Sequence, residues 1–297
     1  MRDFATQSIW NWDEFNKAVR EMTSSRPSEL RPWLYRGQPD DYPLMTTIER
    51  ALVRWDIPLT HATAVEFQTI REFRRRLREP EYHRVQEDTL FCLALMQHHG
   101  APTRLLDCTY SPFVAAAFAM ENGIFRPDGA RVRPVVWCFN GTWCEEEAKR
   151  KLPIDKLTLI GRRNKDSRRN DETFIPLYQI KSSRIAAPPR WKFVKSENPL
   201  HLNERLTTQQ GAFLCPADLE SCFLDNLREM DNLSKKENVW KLYLDLTKSE
   251  ASRFVQRLKE MNLSRASLFP GLDGFAASIS QQICHYRELS EGKAGLG

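Results

Sequence analysis

The densest run of reactive side chains in the sequence is Gln97-His98-His99-Gly100-Ala101-Pro102-Thr103-Arg104-Leu105-Leu106-Asp107-Cys108-Thr109-Tyr110-Ser111-Pro112. It puts two imidazoles, a guanidinium, a carboxylate and the hydroxyls of Thr103, Thr109 and Ser111 between two apolar stretches, 90–96 and 113–120. Buried polar groups need partners. Such a loop therefore either staples itself together or faces a ligand. Two further polar clusters stand far from it. Arg36 ends the β-forming run Trp33-Leu34-Tyr35 just before Gly37-Gln38-Pro39, and Gln209-Gln210 immediately precede Gly211-Ala212-Phe213-Leu214-Cys215. An arginine where a strand runs out into a turn is well placed to meet a ligand. The plainer alternative is an ion pair on a strand edge.

Several chemistries are excluded by pattern. Neither GxGxxG nor GxxxxGK[ST] occurs, which leaves no basis for a dinucleotide-binding turn or a P-loop. His98 and His99 are adjacent, so on a helix they diverge by about 100° and cannot share a metal as an i,i+4 pair would. No metal site is expected. A Ser111–His–Asp107 hydrolase lacks the GxSxG elbow, and Ser111 before Pro112 reads better as a helix cap.

Elements must position these groups. Gly100 and Pro102 stop the helix over 90–96, and Ser111-Pro112 starts the helix over 113–120. Spacing of apolar residues predicts helices over 10–22, 46–55, 63–78, 142–152 and 249–262, with a final helix through Tyr286. Strands are expected at 33–36, 132–140, from Gly211, and over 239–246. Arginines 71, 74, 75, 76 and 78 spread around their helix, reading as a solvated face paired with Glu66, Glu72 and Glu79. The run Arg162–Asn170 is basic and aperiodic, the composition of an exposed loop that could touch nucleic-acid phosphates. Short strands separated by helices, without βαβ alternation, point to an α+β fold: one domain over 1–297, with a small mixed or antiparallel sheet flanked by helices.

Composition agrees. The 297 residues are 41% hydrophobic and 28% charged, with a net charge of +5, which describes a globular chain that tolerates an acidic partner without requiring one. Seven scattered cysteines with no CxxC read as reduced and buried, as in a cytoplasmic protein. No apolar run of eighteen residues is present, so no membrane insertion is expected.

Trp33-Leu34-Tyr35-Arg36-Gly37-Gln38 and the 97–112 run resemble the two signatures of the FRG-domain family, with Tyr35 in place of the Phe in its Phe-Arg-Gly triplet. Arg205…Gln209-Gln210-Gly211-Ala212-Phe213 and Ser267-Leu268-Phe269-Pro270-Gly271-Leu272-Asp273-Gly274 resemble the family's closing motifs. The motif order is also similar to that of the ADP-ribosyltransferase fold. That resemblance implies an enzyme cleaving NAD, its substrate, with Arg36 and Gln209 or Gln210 as catalytic residues. It also implies a cofactor-binding set of Tyr35, Arg36, Gly37, His98, His99, Thr109 and Ser111. Arg36 would fork the pyrophosphate, and Thr109 or Ser111 would orient the nicotinamide ribose. The departure is Gln where such enzymes carry Glu, which removes full charge and proton acceptance unless Glu204 substitutes. The implied setting is a toxin or anti-phage defence effector modifying a protein or nucleic-acid acceptor, itself held by a protein inhibitor or antitoxin. The alternative is a non-catalytic nucleotide- or nucleic-acid-binding module using the same pocket. Either way, Arg36, Thr109 or Ser111, and Gln209 or Gln210 should line one concave pocket. Thr103, Arg104 and Asp107 should be buried braces, because a buried charge without a partner is very costly.

Overall fold

The computed structural model describes residues 4–24, 33–77, 85, 89–125, 129–151, 191–198, 204–272, 274–276, 278 and 279. The basic run 162–170 and nearly all of the expected final helix lie outside the described residues.

Seven strands form one mixed sheet: β1 (Ala5–Ile9), β2 (Trp33–Gln38), β3 (Leu106–Thr109), β4 (Val135–Asn140), β5 (Val194–Glu197), β6 (Gly211–Pro216) and β7 (Val239–Leu244). Their order is β1-β7-β4-β2-β3-β6-β5, antiparallel throughout except for the β1–β7 pair. Helices α1 (Trp12–Ser24), α2 (Thr47–Arg54), α3 (Ala62–Arg76), α4 (Thr89–His98), α5 (Pro112–Ala119), α6 (Gly141–Lys151), α7 (Glu204–Thr208), α8 (Phe223–Arg228), α9 (Lys248–Glu260) and α10 (Arg265–Leu268) flank it. This is the expected α+β class. The expected loop after α4 holds an unexpected strand, β3, which sits between β2 and β6.

Strand alternation explains the two cores. Leu34 opposite Phe139 faces one side, with Leu106, Cys108, Cys92, Met96 and Leu44. Tyr35 opposite Cys138 faces the other, with Ala115, Ala116, Ala119, Phe15 and Phe254. Helix α5 lies so close to β2 that a Cβ at Gly37 would stand 1.9 Å from the Ala115 carbonyl oxygen. Ser111 caps α5 by accepting from the Val114 N–H at 3.3 Å, with Pro112 in the first turn.

The β2–β3 ladder consists of a single pair, Tyr35 with Thr109. Beyond it the two strands part, although each continues to pair with its other neighbour. That opening in mid-sheet is where the polar groups gather.

Candidate functional site

Arg36 follows Tyr35 in β2, so its side chain leaves the face opposite α5, directly across from Trp137. The guanidinium spans the gap between β2 and β3: Nη1 donates to the Asp107 carbonyl oxygen at 2.7 Å. Its Nε is buried and has no hydrogen-bond partner among the described residues. A buried donor left unsatisfied costs about 1–3 kcal/mol, and the Nε atoms of Arg74, Arg228 and Arg265 are in the same position.

The walls of this opening come from α2 and α4. Thr46 and Glu49 form a reciprocal capping box at the start of α2. Thr47 accepts from the Thr103 N–H at 2.8 Å, and Ile48 N–H donates to the Thr103 carbonyl at 2.9 Å. At the end of α4, the Gln97 side chain accepts from the hydroxyls of Thr103 and Thr47, and its amide donates to the Leu105 carbonyl at 3.2 Å and to Asp107 Oδ1 at 2.7 Å. Arg50, one turn beyond Thr47, is exposed and donates to the Met45 carbonyl at 2.7 Å. Desolvation holds its pKa below the ordinary guanidinium value. The neighbouring Arg36 cation adds to that, and Asp107 and Glu49 oppose it. Two cations and one exposed carboxylate therefore share the opening.

The expected braces divide. Thr103 and Arg104 are buried, as braces should be. Arg104 does not pair with Asp107, however; it pairs with Glu66 of α3, Nε at 3.0 Å from both carboxylate oxygens and Nη2 at 2.5 Å from Oε2. Both side chains are almost fully buried, at 4% and 1% exposure. Glu66 is thus no part of a solvated ion-pair face, whereas Glu72 with Arg75 is, at 3.0 Å. Asp107 is exposed, contrary to expectation, because β3 turns its carboxylate out toward Gln97 instead of into the core.

The one-pocket arrangement does not hold for Thr109 or Gln209. Thr109 lies directly opposite Tyr35 and Gly211, so it shares the α5 face and not that of Arg36. Its hydroxyl donates to the Gln209 carbonyl at 2.7 Å and accepts from the Ser111 N–H at 3.0 Å. The Ser111 hydroxyl accepts from the Val114 N–H as the cap of α5. Gln209 is 8% exposed and its amide donates to the Leu268 carbonyl at 2.9 Å. Beside it, Phe269 is stacked by the Arg205 and Arg265 guanidiniums, each 4.7 Å from the ring centre. Gln210 is exposed at φ +48°, where its carbonyl accepts from the Tyr110 N–H at 2.9 Å. Tyr35 is 2% exposed under α5, where burial pushes its phenol well above the ordinary value. Gly37 serves the close approach of that helix. His98 ends α4 and His99 follows it, both exposed, with rings 5.0 Å apart. Desolvation, then the neighbouring His99 and Arg205 charges, lower the His98 pKa.

Sequence reasoning overlooked Arg50, Thr47 and the role of Gln97. One signal was available: Thr46-Thr47-Ile48-Glu49 is a capping-box pattern that fixes the start of α2 and hence the direction of Arg50. Among the described residues, no group of three or more His, Cys, Asp or Glu side chains is arranged to hold a metal.

The segment from 31 to 124, which contains Arg36, Arg50, Glu66, Gln97, Arg104 and Asp107, matches the family model of the FRG domain. The chain carries an FRG domain. The match covers β2 through α5, so the 205–213 and 267–274 segments lie outside the FRG domain as matched. No curated protein and no solved structure matches the chain. No helix among the described residues is long and apolar enough to cross a membrane.

Proposed function

We propose that the FRG domain binds a nucleotide by its phosphates, with Arg36 as the anchoring cation, and that recognition rather than glycosyl transfer is its activity. The observation that carries this reading is the Arg36 guanidinium in the β2–β3 opening. It is half-buried, held by one carbonyl, with an unsatisfied Nε and a second cation nearby. A planar fork in that setting suits phosphate oxygens. Calorimetric titration with NAD, ADP-ribose and ADP tests it. Wild-type protein should bind, and Arg36→Ala should weaken binding at least tenfold, about 1.4 kcal/mol, with an unchanged near-UV spectrum. Equal binding by a folded Arg36→Ala would overturn the proposal.

A second reading is ADP-ribosyl transfer from NAD to a protein or nucleic-acid acceptor, with a protein inhibitor as a further partner. It draws on the placement of β3 between β2 and β6, which sets Arg36 and the Gln209-Gln210 turn on strands flanking a common neighbour. Against it, the Gln209 amide and the Thr109 hydroxyl are already bonded within the fold, and Thr109 faces away from Arg36. Incubation with labelled NAD and lysate separates the two: the binding reading expects neither label transfer nor nicotinamide release.

A further inference from the structure

The carboxylate that the Gln209-Gln210 turn does not supply stands on the other side of Arg36. Asp107 Oδ1 accepts from the Gln97 amide at 2.7 Å, while Oδ2 takes no hydrogen bond among the described residues and the side chain is exposed. Its own carbonyl is the group that holds Arg36, at 2.7 Å. On the adjoining wall, Thr47 and Arg50 lie three residues apart on α2 and so share a face. Thr47 is bonded to the same Gln97 side chain that holds Asp107, at 3.2 Å. The contact chain from Thr47 through Gln97 and Asp107 to Arg36 thus places Arg50 at the rim of the same opening. The Met45 carbonyl holds its Nη1 there at 2.7 Å.

We infer that Asp107 and Arg50 complete the Arg36 site as a nucleotide subsite: Arg36 and Arg50 take the phosphates from two sides, and Asp107 Oδ2 accepts from the ribose hydroxyls. This rests on the nucleotide-binding reading above and adds its ligand class. Two guanidiniums are matched to a diphosphate, whose charge exceeds what one cation offsets. An ionised carboxylate is a strong acceptor for a hydroxyl and a poor neighbour for bare phosphate. The subsite should therefore discriminate a phosphorylated ribose from inorganic pyrophosphate, and Asp107 should be the group that makes the difference. Gln97 acts as a positioning residue, holding Asp107 from the far side.

The test titrates the full chain with ADP-ribose and with inorganic pyrophosphate. Asp107→Asn keeps an acceptor for Gln97 and removes the charge. It should weaken ADP-ribose about tenfold while leaving pyrophosphate unchanged or a few-fold tighter. Arg50→Ala should weaken both about tenfold, and Arg50→Lys, should the alanine variant fail to fold, should weaken both by less. A parallel loss of both ligands in Asp107→Asn, or no change in either, would overturn the role of Asp107. Wild-type affinities in a folded Arg50 variant would overturn that of Arg50. If wild-type protein binds and only Arg36→Ala loses affinity, this inference fails and the nucleotide-binding reading stands. If wild-type binds neither ligand, both fail.

Discussion

Arg104 and Glu66 illustrate how a charged residue in a signature motif can be consumed by the fold. Three contacts between two side chains that are nearly inaccessible lock α3 to the loop before β3. Replacing one partner leaves the other charged and buried. Glu66→Ala should therefore destabilise the protein by about 3–5 kcal/mol, read as a shift in urea midpoint with an unchanged m-value. A loss under about 1 kcal/mol would mean that the pair is solvated in solution. Arg36 is the contrasting case, with one carbonyl for company and an unsatisfied Nε. Both arginines stand out in the sequence as motif residues. Neither pairing does, because Glu66 is thirty-eight residues from Arg104 and Asp107 seventy-one from Arg36, and no local period reports such distances.

At the level of elements, much of the chain was legible. The Phe15, Ala18, Val19, Met22 spacing of α1 is buried as a single stripe, and Ser111-Pro112 starts α5 as composition requires. Three short strands were not legible. β3 is four residues with one charged and exposed position, β5 reads Val-Lys-Ser-Glu, with two charges in four residues, and β1 reads Ala-Thr-Gln-Ser-Ile, too polar to announce a buried strand. Each is a strand because its neighbours complete its ladder, an outcome of tertiary context that overrides propensity. The Tyr35-Arg36-Gly37 triplet divides its labour along these lines: alternation sends Tyr35 under α5 and Arg36 to the other face, and Gly37 admits the α5 backbone. Gly37→Ala would press a methyl into the Ala115 carbonyl and should cost at least about 2 kcal/mol. A thermal midpoint within a degree of wild type would show that α5 can move away freely.

Across the whole molecule, carboxylates pull stability in opposite directions with pH. Glu49 ties α2 to the start of α8, accepting from the Thr46 and Phe223 N–H groups at 2.5 Å each. Burial raises its pKa above the ordinary value, against those hydrogen bonds. A raised folded-state pKa gives a contribution that is full below the unfolded value and lost as pH rises through the folded one. Asp245 is the reverse. The bidentate Arg133 contact, 2.7 Å on each oxygen, lowers its pKa, so its contribution is present above the unfolded value and lost as pH falls through the lower folded one. Denaturation of Asp245→Asn against wild type should show the difference in stability shrinking as pH falls below the ordinary carboxylate range. A difference independent of pH would contradict the assignment.

Nucleotide binding through the Arg36 guanidinium is the central claim, and the Nε–Hε resonance of that same group reports a ligand there most directly. In a nitrogen-15 spectrum assigned with Arg36→Lys and Arg104→Lys, addition of ADP-ribose should move the Arg36 Nε–Hε signal and slow its exchange with water. The Arg104 signal, already held on Glu66, should stay in place. Saturating ADP-ribose that leaves the Arg36 signal unmoved would contradict the account, whatever else in the spectrum responds.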